Sequence, residues 1–239
     1  MLDKKENIKN EEIREKLMIL SRSRIRTRSD GTWVSDNGPE EIEKVREVLK
    51  DDAVYKAIVT DKFGNGWDLV GWLHYFDNEI IHSEENIKLL ALKRPTYMGM
   101  VSPEYRDNVE LMRKCASQAG IHPAMLSYAG KNVKNDFQFI ASVIINSNSE
   151  TFDFYGSSAG SLGDSNMRYG SSIGLTVQEN PYFWMLLNAK IESINQQSSR
   201  SIPLFSIEKE LSIVNDKKMN DMLSSDYSTE STQEVHKKR

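Results

Sequence analysis

Apolar residues recur at helical spacing over most of the chain. Ile13, Leu17 and Leu20 fall at i, i+4 and i+7 behind Asn10, a residue suited to cap a helix. Pro39 followed by Glu40, Glu41 and Glu43 reads as a helix start, with Ile42, Val45 and Leu49 on one face. Ser102-Pro103-Glu104 supplies a hydroxyl cap, a proline at the first position and a carboxylate at the positive end of the dipole. Val109, Met112 and Ala116 continue that face as far as Gly120, a natural stop. A further stripe comprises Val133, Phe137, Ile140, Ala141 and Ile144. Asn180-Pro181 opens another, carrying Met185, Leu186, Ala189 and Ile194, and Ser206 caps a last short helix through Leu211 and Val214. The expectation is a mainly α fold with a single helical core.

Two stretches depart from this pattern. Residues 60–80 hold three glycines and five aromatics, which predicts a turn-rich packed segment. Residues 156–174 contain five glycines and six serines and predict an exposed loop. Residues 1–9 are polar, and from Ser224 the chain is Ser/Thr-rich with almost nothing to bury, the composition of a disordered tail. The organisation expected is an N-terminal arm over 1–38, a helical core over 39–223 and a tail over 224–239. No internal repeat is apparent.

Composition narrows the class. With 239 residues, 38% of them hydrophobic, the chain can bury a substantial core. Thirty-one Lys and Arg against 35 Asp and Glu give a net charge of −4, which argues against a coat of positive charge but permits a local basic strip. No apolar run approaches the ~20 residues of a membrane span, and MLDKKENIKNEE has no apolar leader region. One cysteine, Cys115, excludes a disulfide framework within the chain and a four-cysteine zinc site. A soluble intracellular protein without membrane contact or cofactor is expected.

Catalytic signals are weak. Gly156-Ser157-Ser158-Ala159-Gly160 matches the G-x-S-x-G pattern, but the only later histidine is His236 in the tail, and poor helix formers follow the serine. Cys115, with His122 or His74 as base, lies on the apolar face of its helix, where a buried thiol packs. The four histidines, His74, His82, His122 and His236, lack metal-ligand spacing, and no phosphate-binding glycine motif opens a helix. Asp51-Asp52 and Glu84-Glu85 read as solvated helix ends. No catalytic set emerges, so a non-enzymatic role is expected.

Ser21-Arg22-Ser23-Arg24-Ile25-Arg26-Thr27-Arg28-Ser29 places an arginine at every second position with no acid between them. In an extended chain these would project to one side about 6–7 Å apart, near the spacing of successive phosphates on a single strand. The guanidinium fork matches phosphate oxygens, and the interleaved hydroxyls add donors. Such a strip binds a polyanion without reading sequence. The competing reading is a solvated linker, or ion pairs to the acidic helix at 40–52.

Residues 72–155 carry motifs in a familiar order: Trp72; Arg94-Pro95-Thr96; Asp107-Asn108-Val109-Glu110 leading to Met112-Arg113; Pro123-Ala124-Met125 with Tyr128; and Phe152-Asp153-Phe154-Tyr155. This resembles the coat proteins of flexuous filamentous plant RNA viruses, the potyvirus type. Pro95 to Pro103, P-T-Y-M-G-M-V-S-P, is similar to a segment of the nucleoproteins of phlebovirus-like RNA viruses. Two features depart from the coat-protein pattern. Met98 stands where that family has an arginine, and the Gly/Ser stretch replaces an Ala-rich helix.

The resemblance implies a helical core with flexible arms that reach neighbouring subunits. It implies single-stranded genomic RNA in a groove and self-assembly into a helical filament, in a virion or in the host cytoplasm. Asp153 would orient the nucleotide pocket, Arg94 and Arg113 would line the groove, and Arg22, Arg24, Arg26 and Arg28 would neutralise phosphates. Trp67, Trp72 and Trp184 are candidates for surfaces covered by neighbours. The alternative is a helical interaction or regulatory protein that binds no RNA.

Overall fold

The computed structural model describes residues 2–64, 69–147, 173–197 and 204–235, with residues 2–5 and 222–235 as helix backbone only. The protein is mainly helical, as the periodicity predicts. Its contacts cluster into two compact units, residues 1–105 and 106–239.

In the first unit, helix α1 (Leu2–Arg22) leads into a two-stranded antiparallel hairpin, β1 (Ile25–Thr27) and β2 (Trp33–Ser35). Helices α2 (Pro39–Val48) and α3 (Asp52–Thr60) follow, then a 3₁₀ turn at Val70–Tyr75, α4 (Asn78–Ile81), α5 (Glu84–Lys93) and a second 3₁₀ turn at Pro95–Met100. The short helix α6 (Pro103–Arg106) spans the sequence boundary between the units.

Helix α1 begins well before Asn10, which accepts a hydrogen bond from Lys62 instead of capping. Ile13, Leu17 and Leu20 are buried, and α1 packs on α2 and α3, so the segment expected to be a flexible arm contributes to the core. Tyr55 and Phe76 meet edge to face at 5.2 Å inside that core, beside Leu73, Ile87 and Leu90. Met98, where the coat-protein resemblance would imply an arginine, is fully buried.

The second unit contains α7 (Val109–Ala116), α8 (Met125–Tyr128), α9 (Lys131–Lys134), α10 (Phe137–Asn146), α11 (Leu175–Gln178), α12 (Pro181–Gln197) and α13 (Ile207–Val235). Helix α10 is its centre, packing on α7, α9 and α12. The Ser102-Pro103 signal opens only α6, and the longer helix starts at its own cap, Asn108. On α12 the buried residues are Phe183, Trp184, Leu187, Ile191 and Ile194, whereas Met185 is exposed. The expected face was displaced because the two aromatics, the largest apolar groups, take the core. The segment from Ser224, expected as a tail, continues α13 as far as Val235, and its sequence contains neither Gly nor Pro to stop a helix.

Helices α3, α5, α7, α10 and α12 repeat one local template. Each opens on a short polar side chain that accepts a backbone N–H of the first turn. Asp51 accepts from Ala53 at 2.8 Å, Ser83 from Asn86 at 3.3 Å and Asn108 from Leu111 at 3.0 Å. Asp136 accepts from Phe139 at 2.7 Å and Asn180 from Tyr182 at 3.0 Å. The third and fourth residues after each cap are buried: Val54 and Tyr55, Asn86 and Ile87, Leu111 and Met112, Phe139 and Ile140, Phe183 and Trp184. So is the seventh: Ile58, Leu90, Cys115, Val143 and Leu187. A cap satisfies an orphan amide while the i, i+1, i+4 spacing turns one face inward.

Candidate nucleic-acid interface

The hairpin carries the candidate basic surface. Its register pairs Ile25 with Ser35, Arg26 with Val34 and Thr27 with Trp33. Alternation along the strand sets Arg24, Arg26 and Arg28 on one face and Ile25 and Thr27 on the other, with Trp33. Arg28 N–H donates to the Thr32 carbonyl at 2.8 Å, and Gly31 completes the turn at φ +81°, a conformation that suits glycine. Asp30 accepts from the Thr32 hydroxyl at 2.7 Å and the Thr32 N–H at 2.9 Å, contacts that hold its carboxyl below the usual value.

Helix α2 anchors the hairpin through Glu41. The Ser35 hydroxyl and the Asn37 amide both donate to this carboxylate, and those bonds, with a further one from the Arg24 backbone, lower its pKa. Glu41 faces Arg24 closely enough for charge attraction to contribute.

The four arginines do not form one extended ribbon. Arg22 ends α1, because the helix runs through it before the strand begins. Arg26 is ion-paired with Asp36 at 2.5 Å, an exposed pair with Arg26 at 71% and Asp36 at 55% side-chain exposure. Such a pair is worth at most about 1 kcal/mol, so phosphate can compete for it. Arg22, Arg24 and Arg28 are exposed and make no ion pair within 4 Å among the described residues.

The other candidate residues have structural partners. The Arg94 Nε–H donates to the Val59 carbonyl at 3.4 Å, and its side chain lines a small cavity of ≈ 30 Å³ with Leu17, Asp61 and Phe63. Arg113, in the other unit, grips Asp136 through Nε at 2.8 Å and a terminal nitrogen at 2.5 Å. That guanidinium, with the Phe139 N–H, holds the Asp136 carboxyl below its usual range against the opposing effect of burial. The charge expected to line a groove is thus committed to the cap of α10. Asp153, Ser158, Trp67 and His236 lie outside the described residues. Trp184 is buried, with its indole N–H donated to the Gln178 carbonyl at 2.7 Å, so it is not a surface tryptophan.

Cys115 is fully buried in α7. A serine–histidine contact that sequence reasoning missed joins Ser102 Oγ to His82 Nε2 at 3.0 Å. The same nitrogen accepts the Ser102 backbone N–H at 3.1 Å, and the ring stacks on Tyr105 at 4.8 Å. A lone pair already engaged by a backbone amide is poorly placed to activate a hydroxyl, and the contact reads as a pin at the start of α6. Among the described residues no cluster of three or more His, Cys, Asp or Glu can hold a metal ion. No helix there is long and apolar enough to cross a membrane.

A second feature borders the hairpin. Trp33, Trp72 and Tyr75 form a triad with centroids 5.3–6.3 Å apart, all edge to face, and the Arg46 guanidinium lies 5.9 Å from the Trp33 ring. Trp72 and Tyr75 lie within the aromatic-rich 60–80 stretch and Trp33 opens β2, so the mutual packing was not legible from spacing. No protein-family model, no curated protein and no solved structure matches this chain.

Proposed function

We propose that the chain is a non-enzymatic RNA-packaging protein, of the coat or nucleocapsid kind, whose hairpin grips single-stranded RNA while copies of the chain assemble along it. One observation carries this reading: Arg22, Arg24 and Arg28 stand exposed around the hairpin and form no ion pair within 4 Å among the described residues, with Arg24 feeling only the charge of Glu41. In a chain with a net charge of −4, three exposed guanidinium groups outside any ion pair supply a local track for a polyanion. Guanidinium groups that meet phosphates position a strand without reading its bases, which suits sequence-independent packaging.

The test is binding of a 20-nucleotide oligouridine across a salt series. Each phosphate neutralised on a single strand contributes about −0.7 to the slope of log K against log salt. Replacing Arg22, Arg24 and Arg28 with Ser reduces that slope by about 2 and weakens binding at low salt. Electron microscopy of the protein expressed with cellular RNA then shows rods or rings. A monomer with no salt-sensitive RNA retention rejects the proposal.

The Arg26–Asp36 pair and the repeated helix template favour a second reading, a helical interaction protein without RNA. Under that reading the triple Ser variant keeps full function.

A further inference from the structure

An open cleft of ≈ 600 Å³ lies at the turn end of the hairpin, lined by Gly31, Thr32, Trp33, Glu43, Arg46, Leu49, Lys50, Tyr75 and Asp77. Its volume falls in the range of small-ligand sites. Trp33 and Tyr75 supply aromatic walls, braced by Trp72 behind them, and Leu49 is buried at the base. Edge-to-face contacts fix all three rings, so a planar guest costs them little side-chain freedom. Tyr75 is 44% exposed, and Trp33 and Trp72 are half-buried.

The charges around the cleft are already balanced. Arg46 pairs with Glu43 at 2.8 Å and Lys50 with Glu47 at 2.7 Å, while Asp77 adds an acceptor. A phosphate gains little from such a lining. An uncharged planar ring with donors and acceptors on its edge gains stacking and hydrogen bonds together. Positive charge lies next to the cleft instead. The Arg28 backbone bonds Thr32, a lining residue, and the Arg28 side chain is exposed without an ion pair among the described residues.

We propose that this cleft is a nucleobase site for single-stranded RNA, with the base against Trp33 and Tyr75 and the strand leaving over the hairpin turn toward the exposed Arg28. The inference rests on the RNA-binding reading above and adds a stacking contact to a purely ionic one. Base–aromatic stacking tolerates any sequence, so the site preserves non-specific binding.

The experiment compares the full chain binding oligouridine with its binding of inorganic polyphosphate of equal charge, following tryptophan fluorescence. Oligouridine quenches the emission, whereas polyphosphate binds without quenching. Tyr75→Leu, at a largely exposed position, weakens oligouridine by about 5- to 100-fold and leaves polyphosphate unchanged. Tyr75→Phe restores the affinity. Trp33→Leu, checked for helix content by circular dichroism, abolishes most of the quenching. Intact oligouridine affinity in Tyr75→Leu, or equal quenching by both polymers, overturns the base site while the RNA-binding proposal stands. Absence of any oligouridine binding overturns both.

Discussion

Asp136 does two jobs with one carboxylate: it caps α10 through the Phe139 N–H and it receives the Arg113 fork. Its folded-state pKa lies below the ordinary value of 3.8, so its contribution is fully present above that pH and lost as pH falls through the lower folded value. Asp136→Asn keeps a capping oxygen and removes the charge. Urea unfolding of this variant is expected to show a shallower loss of stability between about pH 5 and pH 2 than the parent chain shows. Asp136→Ala loses the cap as well and costs about 1 kcal/mol more. Arg113→Ala lowers stability modestly, given a guanidinium that is 42% exposed, and leaves RNA affinity unchanged. Gly130 is a second residue with no latitude. A side-chain carbon there falls on the carboxyl of Asp107, which itself accepts the Asn132 N–H and side-chain amide, both at 2.7 Å. Gly130→Ala therefore displaces that clasp and lowers the thermal midpoint by several degrees.

The helix template explains which elements were legible in the chain and which were not. Stripes such as Ile13, Leu17 and Leu20 need only periodicity and appear as expected. On α7 the expected Met112 and Ala116 are buried, whereas most of the expected face of α12 was displaced, because periodicity does not fix the phase of a helix; a cap does. Once Asn108 and Asn180 are taken as the first residues, the third, fourth and seventh positions after each fall among the buried residues. The caps are Asp, Ser, Asn, Asp and Asn, and the inward positions hold side chains from Cys to Trp in size. Asp51→Ala and Asn108→Ala should each cost about 1 kcal/mol, while Asp51→Asn retains most of that stability, as read by chemical denaturation. Burial opposes the charge on Asp51, but Lys16 at 2.5 Å and the Ala53 N–H outweigh it, so its carboxyl also stays below the ordinary range.

At the scale of the whole chain, sequence conveyed composition and charge better than it conveyed a site. The arginine strip was visible as a pattern. Its division was not, because α1 extends through Arg22 and because Asp36 meets Arg26 only once the hairpin closes. The aromatic triad unites Trp33 with Trp72 and Tyr75 across two helices of sequence, a contact no local spacing reveals.

Cys115 is the chain's only thiol and has no solvent exposure. Alkylation in native buffer can therefore proceed only when α7 and its neighbours open, making a single chemical clock of the second unit. Its rate is expected to rise in Asn108→Ala and in Asp136→Ala, and to remain at the parental value in Tyr75→Leu. A native thiol that reacts at the speed of a free one would show that the seal around it is not kept in solution.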